Sequence, residues 1–208
     1  MAPNVKQQLA GFSVAQMQSE RDELARLLDH SSSEEPVHAF LAGHDHILRF
    51  VFAPMGRPSV VASKLRLGSE YVPDALLLFD TSHSICAVFV EFEPVSAQLY
   101  TKGGTESLRL RAAEKQIRDW HLWLDRNWPY FQGRVQKSFG ACVSSRGHVE
   151  FKIVIGRRSM LGSEDNLRRS IAYLLSGHIV EVVTYDRFLD AYDFVIHTIH
   201  PSTLCSLK

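Results

Sequence analysis

The sequence is poor in cysteine and carries no net charge. Its 208 residues include three cysteines, Cys86, Cys142 and Cys205, without the paired spacing of a metal site. This small, odd number argues against a secreted disulfide scaffold and favours a reducing compartment. The 23 basic and 23 acidic residues cancel, which excludes a histone-like protein that binds through bulk charge.

Long hydrophobic runs are also missing. The longest, ICAVFV at residues 85–90, has the length of a strand and cannot cross a membrane. The opening MAPNVKQQLAGFSVAQ lacks a basic region followed by an apolar segment, so we expect no signal peptide. We therefore expect a soluble, cytoplasmic protein that does not bind membranes. The phosphate-loop order GxxxxGK[ST] is missing as well, which makes TKGGTES at 101–107 a turn.

The hydrophobic patterns that are present predict an α/β fold, with a mixed β-sheet flanked by helices. Residues 1–30 form an N-terminal helical segment in which Ser13 caps a helix, and 31–208 form the main domain. PDALLLF and SICAVFVEFE, joined by the polar turn DTSHS, predict an antiparallel hairpin.

The second half of the chain alternates between helix and strand. A long amphipathic helix is predicted from about Ser107 to Asn127, followed by the loop WPYFQGRVQ and a strand at FGACVSS. The remaining predictions are the strands VEFKIVIG and IVEVVTY and the helices SEDNLRRSIAYLL and DRFLDAYDFV.

Two acids stand in an otherwise apolar strand, VFVEFEP at 88–94. Glu91 and Glu93 are two residues apart, so their side chains leave the same face, and burial of two like charges requires compensation. Antiparallel pairing in the hairpin brings Asp74 to the same end of the sheet. Three carboxylates there match the oxygen ligands of a hard divalent cation. The alternative is a solvated edge, paired with lysines such as Lys64.

The long helix contributes two further features. Gln116 lies one turn after Ala112 and one turn before Trp120, so we expect it on the face that packs against the sheet, where it can orient water or a ligand. Arg111, Lys115 and Arg118 follow at i, i+4 and i+7. This basic stripe either contacts nucleic-acid phosphates or forms a solvated face, and the sequence favours neither.

In this order, Pro73-Asp74, Glu91, Glu93 and Gln116 resemble the signature of the PD-(D/E)XK nuclease superfamily. A closer resemblance, over roughly residues 35–192, is to the C-terminal domain of the Shedu anti-phage immune proteins. It rests on LGSEYVPDALLL, VFVEFEPVSAQLYTKGG, AAEKQIRDWHLWL, VIGRRSML and VVTYDRFLD.

The resemblance implies a restriction-endonuclease-like sheet and metal-dependent cleavage of DNA in bacterial defence, by a protein that assembles into homo-oligomers. Asp74, Glu91 and Glu93 would hold Mg²⁺ or Mn²⁺. Gln116 would complete the catalytic set. In many nucleases of the superfamily a first-helix glutamate joins the site, which makes Glu35 an additional candidate.

The sequence departs from the superfamily where a lysine is expected, because Glu93 occupies that position. A glutamate cannot supply positive charge, although it can be a third metal ligand or accept a proton from water. Lys115 and Lys102 are candidate substitutes for the lysine. Three hypotheses follow: a metal-dependent DNA endonuclease, a catalytically silent module of the same fold that binds nucleic acid or a partner protein, or a structural oligomerisation domain in which the carboxylates form an incidental acidic edge.

Overall fold

The computed structural model describes residues 11–31, 33–53, 59–81, 84–140, 142–143, 145–165, 173–175 and 178–199. Its helices are α1 (Val14–His30), α2 (Glu35–Gly43), α3 (Asp45–Phe52), α4 (Leu108–Phe139) and α5 (Asp186–Ile199). Its strands are β1 (Ser59–Ser63), β2 (Ala75–Asp80), β3 (Ile85–Phe92), β4 (Val149–Val154), β5 (Tyr173–Leu175) and β6 (His178–Val183).

The six strands form one mixed sheet in the order β1-β2-β3-β4-β6-β5. Strands β1, β2 and β3 are antiparallel neighbours, β3, β4 and β6 run parallel, and β5 is antiparallel to β6. Parallel neighbours need a crossover, and α4 supplies it between β3 and β4. The predicted α/β fold with a mixed sheet is therefore confirmed. The predicted hairpin also forms, although the centre of its turn, at Ser82, lies outside the described residues.

Alternation along the strands places one helical layer on each face of the sheet. Leu76 and Phe89 point to the face covered by α4, where Ile117 and Trp120 are fully buried. Leu77 and Val90 point to the other face, which α1, α2, α3 and α5 cover. Because β2 and β3 are buried on both faces, their sequences are almost continuously apolar.

Helix α1 packs into the same core as α2, α3 and α5. Ser13 caps it, as predicted, by accepting a hydrogen bond from the Gln16 N–H at 3.1 Å. Met17 and Leu24 are fully buried. The buried Glu20 carboxylate accepts hydrogen bonds from Tyr192 of α5 at 3.1 Å and pairs with His46 of α3 at 2.7 Å.

Helix α4 extends twelve residues beyond the predicted end, since it closes at Phe139 and not at Asn127. The predicted loop WPYFQGRVQ is therefore wrong. Asn127 leaves the helical conformation (φ −123°), and its side chain donates to the Trp123 carbonyl at 2.9 Å. The helix restarts after this kink, so Pro129 lies in a first turn, where proline is tolerated.

Two other predictions fail in the second half of the chain. The described part of FGACVSS contains no strand, because Phe139 ends α4 and Gly140 caps it in the left-handed conformation (φ 65°). The segment 173–175, predicted as the end of a helix, is strand β5, paired to the edge of β6. Most of that predicted helix, residues 166–172, lies outside the described residues.

Glycine substitutions test this packing. We expect Gly156→Ala to lower the free energy of unfolding by about 2 kcal/mol or more. Gly156 has φ +62°, and an added Cβ would lie 2.3 Å from the Ala97 carbonyl oxygen. The matched control is Gly133→Ala in α4, where a Cβ meets nothing within 4 Å. That change should stabilise the protein by about 1 kcal/mol. Urea denaturation measures both, and equal effects would contradict the described packing around Gly156.

Candidate active site

Asp74 and Glu91 meet at one end of the sheet. The register pairs Ala75 with Val90, which sets Asp74 opposite Glu91, as the hairpin predicted. Asp74 is fixed there because its Oδ2 accepts a hydrogen bond from the Phe92 N–H at 3.0 Å. This contact with one carboxylate oxygen fixes the Asp74 side chain at the end of the sheet.

Glu91 is an acid buried without full compensation. It is 7% exposed, and its Oε2 is buried with no hydrogen-bond partner. Burial raises the pKa of Glu91 to about 9, and the charges of Asp74 and Glu93 add to the effect. A hydrogen bond between the Glu91 and Asp74 carboxyl groups also favours the protonated form. Glu91 therefore retains a proton at neutral pH, and a cation binding there would replace it.

Glu93 follows the end of β3 and is 8% exposed. Burial raises the pKa of Glu93 to about 7; Arg109 opposes this shift, and Glu34 and Asp74 reinforce it. The Arg109 guanidinium lies 3.9 Å from the Glu93 carboxylate. A carboxyl group with this pKa changes its protonation state near neutral pH.

The backbone around Glu93 is held by two stretches whose role the sequence did not reveal, VIGRRSML and VVTYDRFLD. The Tyr185 hydroxyl donates to the Glu93 carbonyl at 2.8 Å, and the Glu93 N–H donates to Val154 at 2.8 Å. Gly156 donates to the Pro94 carbonyl at 3.4 Å and accepts from the Tyr185 N–H at 3.1 Å. These contacts position the acidic end of the strand.

A cleft of about 830 Å³ opens beside the carboxylates, between α2 and the first turn of α4. Asp74 and Arg109 line it directly, and Glu91 and Glu93 are buried against these two residues. We call this cleft, with its buried acids, the acidic cleft. The other charged or titratable residues in its lining are Glu34, Glu35, His38 and Lys64.

Four of these residues were not predicted as site residues. Glu35 lines the acidic cleft, and so does Glu34, the N-cap of α2, whose charge, like that of Asp74, raises the pKa of both Glu91 and Glu93. His38, one turn further, has a buried Nε2 without a hydrogen-bond partner, and burial lowers the pKa of its imidazole. The i, i+4 spacing from Glu34 was the available signal. Arg109 and Lys64 had no motif to mark them.

Gln116 lies in a neighbouring cavity. The face of α4 that packs on the sheet carries Ala113, Ile117 and Trp120, and Gln116 lies at its edge, half-buried. With Tyr71 it lines a second cavity of about 350 Å³, whose described lining contains none of the three predicted carboxylates. A role for Gln116 at the carboxylates therefore stays a prediction.

The predicted basic side chains lie on the exposed surface. Lys115 is paired with Asp119 at 2.7 Å, and Arg118 lies 3.9 Å from Glu114. Arg111 is exposed on the same helix, and Lys102 is exposed in the loop before it. Within the described chain, the lining of the acidic cleft includes none of these four cations.

The donor set suits a cation held by few protein ligands. Among the described residues, no three histidine, cysteine, aspartate or glutamate side chains form a ready-made metal site. Magnesium commonly binds through one or two carboxylates and keeps its remaining waters or substrate oxygens. Asp74 and Glu91, with the unpartnered Glu91 Oε2, fit that mode. The role of Glu93, as a third metal ligand or as a base, stays a prediction.

The fold and this arrangement define a mixed α/β domain with paired acids where two strands meet a cleft. The family model described as "Shedu protein SduA, C-terminal" matches residues 31–189. The chain therefore belongs to the Shedu family, which implies a role in anti-phage defence. No curated protein matches the chain. Within the described residues, no helix is long and apolar enough to span a membrane.

The raised pKa of Glu91 predicts an unusual dependence of the protein's stability on pH. Its pKa is about 9 in the folded protein and 4.5 as an ordinary glutamate, so the folded state binds a proton that the unfolded state releases. This stabilising contribution is present below the ordinary pKa and is lost as pH rises towards 9. Between pH ~7.5 and ~9, above the pKa of Glu93, the melting temperature of the metal-free protein should fall. The fall should be smaller in Glu91→Gln.

Thermal melting in EDTA at both pH values measures this effect, with Glu35→Gln as the control, because Glu35 is exposed in the same cleft. The control should retain the wild-type pH dependence. An undiminished loss in Glu91→Gln would contradict the protonation assigned to Glu91.

Proposed function

We propose that the protein is a metal-dependent DNA endonuclease that acts in anti-phage defence by hydrolysing phosphodiester bonds. The observation that carries the proposal is the buried Glu91 beside the cleft-lining Asp74, with an unpartnered Glu91 oxygen and a Glu91 pKa of about 9. Such a perturbed acid beside an open cleft is typical of a functional site. Membership of the Shedu family supports the same function.

Asp74 and Glu91 are the residues that would hold Mg²⁺ or Mn²⁺. The chemistry that such a cation supplies is positive charge on a phosphate oxygen and a lowered pKa of coordinated water. Asp74 keeps one oxygen on the Phe92 N–H and offers the other, while Glu91 offers its unpartnered Oε2. The hydrogen bond from the Phe92 N–H would keep the aspartate in place when a cation is bound.

Glu93 is the proton acceptor in this proposal. Its pKa of about 7 matches the requirement for a general base at neutral pH. Water attacks phosphorus and passes its proton to the Glu93 carboxylate. The bond between phosphorus and the 3′ sugar oxygen breaks, and that oxygen takes a proton from solvent as the strand with the 3′ hydroxyl leaves. Arg109, 3.9 Å away, stabilises the charged form of Glu93 between turnovers.

The second candidate is a silent binding module of the same fold, which the glutamate in the lysine position favours. It would retain the fold and the acidic cleft without cleaving DNA. Self-assembly into homo-oligomers is compatible with either function and follows from the family resemblance.

Supercoiled plasmid with Mg²⁺ or Mn²⁺ tests the endonuclease. We expect Asp74→Asn and Glu91→Gln each to reduce cleavage by roughly 100-fold or more, and EDTA to abolish it. Asparagine retains an acceptor for the Phe92 N–H, so loss of fold is avoided. Asp193→Asn is the matched control, because Asp193 pairs with Arg21 outside the acidic cleft. Cleavage that survives both site substitutions would contradict the assignment, and a folded wild type that never cleaves would favour the silent module.

The pH–rate profile tests the role of Glu93. We expect the cleavage rate of the wild type to rise with pH through a midpoint near 7, the pKa of Glu93, because the base must be ionised. Glu93→Gln should cleave slowly and lose that midpoint. A Glu93→Gln variant with wild-type rate and profile would assign the proton transfer elsewhere.

A further inference from the structure

We infer that Lys64 binds a backbone phosphate of the DNA in the acidic cleft; this inference rests on the proposed function. The acids around the acidic cleft repel a polyanion such as DNA. Glu34, Glu35 and Asp74 line it, and Glu91 and Glu93 are buried against it. A phosphodiester therefore needs a protein cation there, in addition to any metal.

Lys64 and Arg109 are the two lysine or arginine residues in the described lining of the acidic cleft. Arg109 lies 3.9 Å from the Glu93 carboxylate and is 67% exposed, so its charge is partly committed to that acid. Lys64 makes no ion pair within 4.0 Å with any described residue. Its ammonium is therefore available to a ligand.

The backbone holds Lys64 directly beside Asp74. The pairing of Ser63 with Ala75 places Lys64 opposite Asp74, and its N–H donates to the Asp74 carbonyl at 3.3 Å. Burial lowers the pKa of His38, which lies in the same lining, and the positive charge of Lys64 also lowers it. A phosphate at Lys64 would thus lie next to the carboxylate that is proposed to hold the metal.

The conformation of Lys64 is unusual for a lysine. Its φ is +57°, and among the described residues no other non-glycine residue has a positive φ. The left-handed region suits glycine or asparagine, and other residues there are strained. Strained residues concentrate at functional sites, where the surrounding structure holds them in place. A lysine in this position, unpaired and inside an acidic cleft, indicates that its ammonium is used.

Binding of a short fluorescent DNA duplex, with Ca²⁺ in place of Mg²⁺, tests the inference over a series of salt concentrations. We expect Lys64→Asn to weaken binding roughly 10-fold and to lower the slope of log affinity against log salt by about 0.9, the loss of one phosphate contact. Lys64→Arg should bind nearly as well as the wild type. Lys137→Asn, which removes an exposed lysine of α4 outside the acidic cleft, should bind as the wild type does.

Asparagine tolerates a positive φ, so Lys64→Asn should unfold at the same urea concentration as the wild type or a higher one. Three results would overturn the inference. If the wild type cleaves plasmid but Lys64→Asn binds DNA normally, Lys64 has no phosphate role and the nuclease proposal stands. If Lys137→Asn weakens binding equally, the effect is general electrostatics. If the wild type neither binds nor cleaves DNA, this inference and the proposed function both fail.

Discussion

The contact between the carboxyl groups of Asp74 and Glu91 is the constraint on which the rest of the site depends. An apolar strand buried on both faces delivers an acid to a place where its charged form is poorly solvated. The neighbouring acids increase that cost, so in the absence of a cation the strain is relieved by a proton on Glu91. Under the proposed function, a bound cation would take the place of that proton.

The remainder of the domain keeps that pair in place. The register of β2 and β3 fixes the two acids opposite each other, and the Phe92 N–H fixes the aspartate. Tyr185, just after β6, donates to the Glu93 carbonyl, and Gly156, just after β4, donates to the Pro94 carbonyl. A shorter side chain at Tyr185 or a larger one at Gly156 would disturb these contacts. Two layers of helices cover the sheet, and the acidic cleft opens where α2 and α4 begin on opposite faces.

The acids were predictable from the sequence because they depend on local rules. A period of two along a strand and the register of one hairpin place Asp74 opposite Glu91. Glu34, His38, Lys64 and Arg109 were missed because three different elements bring them to the cleft, and no spacing within one element encodes such a meeting. The length of α4 was missed because Pro129 reads as a helix end, whereas the kink at Asn127 makes it a helix start.

The most direct measurement is anomalous diffraction from crystals soaked in Mn²⁺ near pH 8, where Glu91 gives up its proton to a cation. The account predicts one strong peak within coordination distance, about 2.0–2.3 Å, of the Asp74 and Glu91 carboxylates, and its loss in Glu91→Gln. A well-ordered site without a peak there, or a peak that persists in Glu91→Gln, would show that Asp74 and Glu91 do not form a metal site.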